Sequence, residues 1–241
     1  MRLETLAAVN AARRARRAGV VATRQSDGEQ RFVLGDAVAG DSLAQALEAA
    51  LRSGKSGLVE HEGESWFLTT LVPPARLVIV GAVHISQALA PIARIAGLDP
   101  TIIDPRTAFA TRERFPAVSV LAQWPDEALA AAPLDRHSAI CLLTHDPKID
   151  DGALINALKA DCFYIGALGS RKTHAKRLER MRAVGFDDAA LARIHAPIGL
   201  DIGAVSPAEI AVSIVAEIIA AQRKKPLREE RAGLSPAPSR L

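Results

Sequence analysis

Gly81 and Asp104 are the residues from which chemistry can be read first. Gly81 closes the apolar run Leu77–Val80, and Asp104 closes a β-branched run, Thr101–Ile103, about twenty residues further on. A glycine turn after one strand and an acid at the tip of the next form the two halves of a nucleotide crevice. The turn faces phosphate and the acid faces ribose. The glycine fingerprint is incomplete, because Val83 and Ser86 stand where G-x-G-x-x-G has its second and third glycines. A side chain at the second position blocks the approach of backbone to a pyrophosphate. The spacing therefore keeps the architecture and disfavours ordinary NAD binding at this turn.

Further groups with chemical potential gather at neighbouring strand ends. His84, just past the first strand, could donate to a phosphate oxygen or pack against a carbonyl. Arg106 suits a phosphate held by two parallel bonds, or else brackets Pro105 in a turn with Asp104. Thr144-His145-Asp146 follows the apolar run Ala139–Leu143. His145 and Asp146 have the types of a proton-transfer or metal pair, with Asp150, Asp151 and His174 as candidates for a third ligand. Gly166-Ala-Leu-Gly169-Ser170-Arg171-Lys172 runs into a basic helix expected over 173–184. Glycines, a serine and two cations at a helix start suit an anion, and the plainer alternative is a glycine-closed loop with surface cations. Of the two cysteines, Cys141 lies in an apolar run and reads as core, while Cys162 lies nearer a strand start.

The elements that must position these groups alternate between strands and helices. After the unit 76–106, strands are expected at 118–121, 139–143 and 162–166, with helices at 125–132 and 151–159 between them. Ser206-Pro207-Ala208-Glu209 announces a last helix, with serine as cap, proline in the first turn and glutamate three residues after the cap. The continuous apolar pattern of 139–143 fits a strand covered on both faces. The expected fold is α/β, a Rossmann-like parallel sheet with helices on both faces, with binding residues at the carboxyl ends of its strands.

Residues 1–72 read as a small α+β domain. Leu3, Leu6, Ala7 and Val9 mark a first helix to about Arg17, with its arginines on the side away from the leucines. Ser26-Asp27-Gly28-Glu29 and Glu62-Gly63-Glu64 each mark a hairpin, and a helix is expected over 42–52 with Asp41 or Ser42 as its cap. Pro73-Pro74 marks a linker, 73–75. The second domain is expected over 76–225, with a disordered tail over 226–241.

Composition narrows the classes. The 241 residues are 49% hydrophobic and 24% charged, the balance of a globular protein. No apolar stretch reaches the length of a membrane span and the N-terminus lacks a secretory pattern, so a cytoplasmic location is expected, without membrane contact. Two cysteines outside any C-x-x-C pair exclude a disulfide framework. The net charge of +3 comes largely from arginine and lysine clusters at the two ends, and with aromatics at only 4% these read as solvated faces without nucleic-acid binding.

Six motifs in order, Gly81-Ala82-Val83-His84, Asp104-Pro105-Arg106, Phe115-Pro116, Thr144-His145-Asp146, Tyr164 to Arg171 and Pro197 to Gly203, resemble the XdhC/CoxI family. These are accessory proteins of molybdenum hydroxylases such as xanthine dehydrogenase and carbon monoxide dehydrogenase. The resemblance covers roughly residues 74–222. It implies a chaperone, more than an enzyme, that carries the molybdenum cofactor, molybdopterin or its nucleotide form, as cargo. Such a protein holds the cofactor while it receives its terminal sulfur and passes it to the apo-hydroxylase. A cysteine desulfurase and a cofactor nucleotidyltransferase are the further implied partners, and a homodimer is the implied assembly. The implied binding residues are Gly81, His84, Asp104, Arg106, Thr144, His145, Asp146, Gly166, Gly169, Ser170, Arg171 and Lys172, with no catalytic residue. The competing readings are an NAD(P)-dependent oxidoreductase and a non-catalytic interaction scaffold.

Overall fold

The computed structural model describes residues 2–223. The sequence reading of 226–241 as a disordered tail lies outside the described residues. The chain divides into two compact units, Met1–Pro73 and Pro74–Leu241.

The first unit is a four-stranded antiparallel sheet with two helices. Strand β1 (Gly19–Arg24) pairs with β2 (Gln30–Leu34) on one side and with β4 (Glu64–Leu71) on the other, and β3 (Gly57–His61) completes the order β2-β1-β4-β3. Both expected hairpins form, with positive φ at Gly28 and at the Glu62-Gly63 pair. Helix α2 (Ala44–Ser53) lays Leu47 and Ala50 against Val20, Ala22, Trp66 and Leu68. Asp41 does serve its start, accepting from the Leu43 amide at 2.8 Å, while Arg31 grips the same carboxylate and lies 4.5 Å over the Trp66 ring. Helix α1 (Leu3–Arg14) corrects the sequence reading. It buries Thr5, Val9 and Ala12, whereas Leu3 and Leu6 are exposed. A stripe of small residues at i, i+4 and i+7 faces the sheet, and the two leucines fall outside it.

The second unit is a six-stranded parallel sheet. Its strands are β5 (Arg76–Val80), β6 (Asp99–Ile103), β7 (Ser119–Leu121), β8 (Ser138–Leu142), β9 (Tyr164–Ala167) and β10 (Ile194–His195). The order is β10-β9-β8-β5-β6-β7, so that, counted from β5, it is the doubly wound order of a dinucleotide-binding sheet. Alternate residues of the central strands bury on opposite faces. Leu77, Ile79, Ala139, Cys141 and Leu143 pack with α3 (His84–Ile95) and α8 (Pro207–Arg223). Val78, Val80, Ile140 and Leu142 pack with α4 (Pro125–Ala131), α5 (Pro147–Lys159) and α6 (Arg171–Ala183). Strand β10 and the short α7 (Asp188–Leu191) have no counterpart in the sequence reading, because two and four residues carry no readable period. No helix among the described residues is long and apolar enough to cross a membrane.

Candidate functional site

The parallel register aligns Val80 with Ile103 on one side and Leu142 on the other, and Leu142 with Ala167. The residues that follow, Gly81, Asp104, Thr144 and Gly169, therefore share one edge of the sheet. Chain direction winds outward in opposite senses from β5 and β8, and a crevice opens at such a switch point.

The turn after β5 is closed from within. Gly81 has φ 114°, and a Cβ there would stand 2.9 Å from the Thr144 methyl, so only glycine fits. Its amide donates to the Ile103 carbonyl at 2.8 Å, and its carbonyl accepts from the Ser86 hydroxyl at 2.5 Å. The Ala82 amide donates to Asp104 at 2.8 Å, and the Ala82 carbonyl accepts from Arg114 at 2.8 Å. Both peptide groups that would meet a pyrophosphate first are thus engaged.

Asp104, expected to face a ribose, is instead fully buried. Its Oδ1 accepts from the Arg106 amide and Nε, each at 2.9 Å, and its Oδ2 from the Ala82 amide and from Arg106 Nη2 at 2.7 Å. Four donors fill the four acceptor positions of a carboxylate. Burial works to raise the Asp104 pKa, but the Arg106 guanidinium and the two amides outweigh it and hold the carboxyl below its ordinary value. Arg106 in turn points its fork at Asp104, and the same guanidinium lies 4.9 Å over the Phe109 ring. The expected ribose acceptor and phosphate clamp are each other's partners.

An open depression of about 340 Å³ lies beside this turn, between the starts of α5 and α6. His145, Asp150, Lys172, Thr173, Lys176, Arg177 and Arg180 line it. Thr144 links it to the turn, since it touches Gly81 and donates its hydroxyl to Asp150 at 2.6 Å. The structure thus brings His145 and Lys172 of the predicted set into one pocket, with Thr144 in its supporting layer. Gly81, Asp104 and Arg106 form the neighbouring closed turn. His84 is exposed at the first position of α3.

Other predicted residues have structural occupations. Asp146 caps α5, accepting from the Lys148 amide at 2.9 Å. Ser170 caps α6, accepting from the Thr173 amide at 3.2 Å. Gly169 has φ 136° and sits against Thr173, while Arg171 is exposed on the first turn of α6. Gly166 makes room for Ile198 and the Tyr164 hydroxyl, where a Cβ would meet them at 2.5 and 2.7 Å. Of the third-ligand candidates, Asp151 is held by Arg180 and Asp150 by Thr144. No cluster of three metal-ligating side chains occurs among the described residues. Cys162 is buried before β9, at the amino edge of the sheet, and its thiol, donating to the Ala157 carbonyl, is pushed up to about 11 by burial.

Three features escaped the sequence reading. Arg177 is 2% exposed, and Asp150 is also 2% exposed. Arg177 stands on a helix that reads as basic and solvated, and Asp150, read as a candidate third ligand ahead of a helix at 151, lies inside α5, so neither burial carried a signal in the sequence. Arg114 bonds three groups around the first turn from a loop without any readable period. Glu217 on α8 gathers the Tyr164 hydroxyl at 2.6 Å, His195 Nδ1 at 3.0 Å and the Gly199 amide at 2.8 Å. Burial opposes ionisation of Glu217, yet these donors hold its pKa below the ordinary value.

The sequence and the fold both have counterparts among known proteins. The profile of the XdhC Rossmann domain matches residues 77–218. The chain belongs to the XdhC family. The chain is 33% identical over 146 residues to the molybdenum cofactor insertion chaperone PaoD of Escherichia coli, covering 61% of this chain and 40% of that one. It is 31% identical over 159 residues to a probable xanthine dehydrogenase subunit from Bacillus subtilis, covering 66% and 46%. A third relative, YqeB of Escherichia coli, is 32% identical over 151 residues, covering 63% and 28%. The chain thus spans less than half the length of each. A solved structure titled a xanthine dehydrogenase, from Bacillus halodurans, superposes with a TM-score of 0.65 over 95% of this chain and 66% of that one, at 21% identity, which shows the shared fold.

Proposed function

We propose that this XdhC protein is a maturation factor for a molybdenum hydroxylase of the xanthine dehydrogenase or carbon monoxide dehydrogenase type, carrying the molybdenum cofactor and handing it to the apo-enzyme. The observation that carries the reading is the 33% identity, over 146 residues, to a chaperone named for inserting that cofactor. The chemistry of the rim agrees. A cation-lined pocket at the carboxyl ends of parallel strands suits an anionic, phosphate-bearing molecule, and binding followed by release needs no proton donor or nucleophile.

The pocket's side chains would bind and orient the cargo through its anionic groups. Contact with the cofactor's sulfur or metal through a thiol of the described residues finds no support, because Cys141 and Cys162 are both buried and burial pushes both thiols up. The nicotinamide reading loses support at the same place where the sequence weakened it, since the Gly81 and Ala82 amides already have partners. Desulfurase, nucleotidyltransferase and homodimer contacts stay part of the proposal through the family resemblance alone.

The test is reconstitution. Apo-hydroxylase incubated with cofactor-loaded protein should regain activity faster than with free cofactor at equal concentration. Equal rates with and without the protein would contradict handover.

A further inference from the structure

We propose that the pocket between α5 and α6, and not the Gly81 turn, receives the phosphate end of the ligand, a phosphomonoester or pyrophosphate held by Arg177, Lys172 and Lys176. As a statement about the cofactor this rests on the reading above. As a statement about phosphate it stands on the pocket alone.

The first support is Arg177. It is 2% exposed, lines the pocket, and bonds only through Nη2, to the Leu168 carbonyl at 2.9 Å. Its Nε and Nη1 are buried without a hydrogen-bond partner. A guanidinium does not escape the cost of burial by losing its proton, so unpaired donors in this position call for an anion. Asp150 does not supply it, because no ion pair within 4.0 Å joins the two and Asp150 Oδ2 is itself buried without a partner.

The second support is the charge pattern of α6. Lys172, Lys176 and Arg180 stand at i, i+4 and i+8 and all face the pocket. Like charges at that spacing repel. Asp151 neutralises Arg180, leaving the two lysines with no carboxylate partner among the described residues. A bound dianion would relieve both lysines and Arg177 together.

Asp150 gives the pocket a means of choosing its anion. Its Oδ2 can share one proton with a bound group, and hydrogen phosphate brings such a proton whereas sulfate does not. Burial raises the Asp150 pKa against the Thr144 hydroxyl bond and the Arg177 charge, so at low pH the carboxyl carries its own proton and accepts sulfate as well, and the selectivity belongs to the alkaline side. Arg106, His145, Lys172, Lys176, Arg177 and Arg180 are the charged or titratable groups around it.

Calorimetric titration of the full chain with inorganic pyrophosphate and phosphate, at fixed ionic strength, tests the assignment. One saturable site is expected, weakened about tenfold or more in Lys172→Ala/Lys176→Ala, a loss comparable to one charge-assisted hydrogen bond. Both lysines are exposed, so this variant keeps the test valid if Arg177→Met fails to fold. Phosphate should outcompete sulfate at pH 8, and equal affinities would remove Asp150 from the site. Absence of saturable binding in the millimolar range, or unchanged affinity in the lysine variant, would overturn the proposal. A lysine variant that loses phosphate but still carries molybdopterin would overturn only the cofactor assignment and leave the chaperone reading standing. Phosphate binding by a protein that never carries molybdopterin would do the reverse.

Discussion

At the scale of the residue, Asp104 shows how spacing can be legible while engagement is not. Its distance from Gly81 was legible, because strand, helix and strand together fix where the second tip lies. Its engagement was not, since nothing in the spacing says that Arg106 will fold back onto the carboxylate and that the Ala82 amide will complete it. Asp104→Asn should destabilise the protein by about 2 kcal/mol at neutral pH, allowing for the partial exposure of Arg106, as measured by urea unfolding. The folded carboxyl ionises below its ordinary value of 3.8, so the unfolded chain takes up protons first as pH falls. The difference between wild type and variant should therefore be full above pH 3.8 and shrink as pH drops through the lower folded value. A gap that stays constant into that range would show that the ion pair contributes nothing. Gly81→Ala should cost about 1–3 kcal/mol from its left-handed backbone and the Thr144 contact.

At the scale of the element, hydrophobic period located the six-stranded sheet's main strands, and caps decided the helix starts. The sequence reading began α5 at Asp151, yet Asp146-Pro147 starts it four residues earlier, with a carboxylate cap and a proline in the first turn. That shift explains why Asp146 is a cap, and why Asp150 lies inside a helix facing inward. Ser170 was legible as part of an anion-binding loop, but its oxygen is occupied by the Thr173 amide. Ser170→Ala should lower stability by about 1 kcal/mol, while phosphate affinity should change far less than in the Lys172 and Lys176 variant. A loss of binding equal to that variant's would return the serine to the ligand. Arg177 was illegible for a plain reason: a basic helix reads as solvated, and only the packing of α6 on α5 turns one of its arginines inward.

At the scale of the whole molecule, the chain folds as two units with different sheets, one antiparallel and one parallel. The change in pattern at Pro73-Pro74 was visible in the sequence, since alternating hairpin strands give way to apolar runs separated by helices. Expressed by itself, 74–241 should unfold cooperatively in urea, and a broad, non-cooperative transition would show that it depends on 1–73. The proposed role belongs to this scale as well, because carriage needs a site that binds an anion without consuming it. The most direct measurement is pterin and molybdenum content of the full chain after incubation with molybdopterin and gel filtration. The account predicts near-stoichiometric co-elution, reduced in Lys172→Ala/Lys176→Ala. Passage of the wild-type protein through the column without pterin would contradict it.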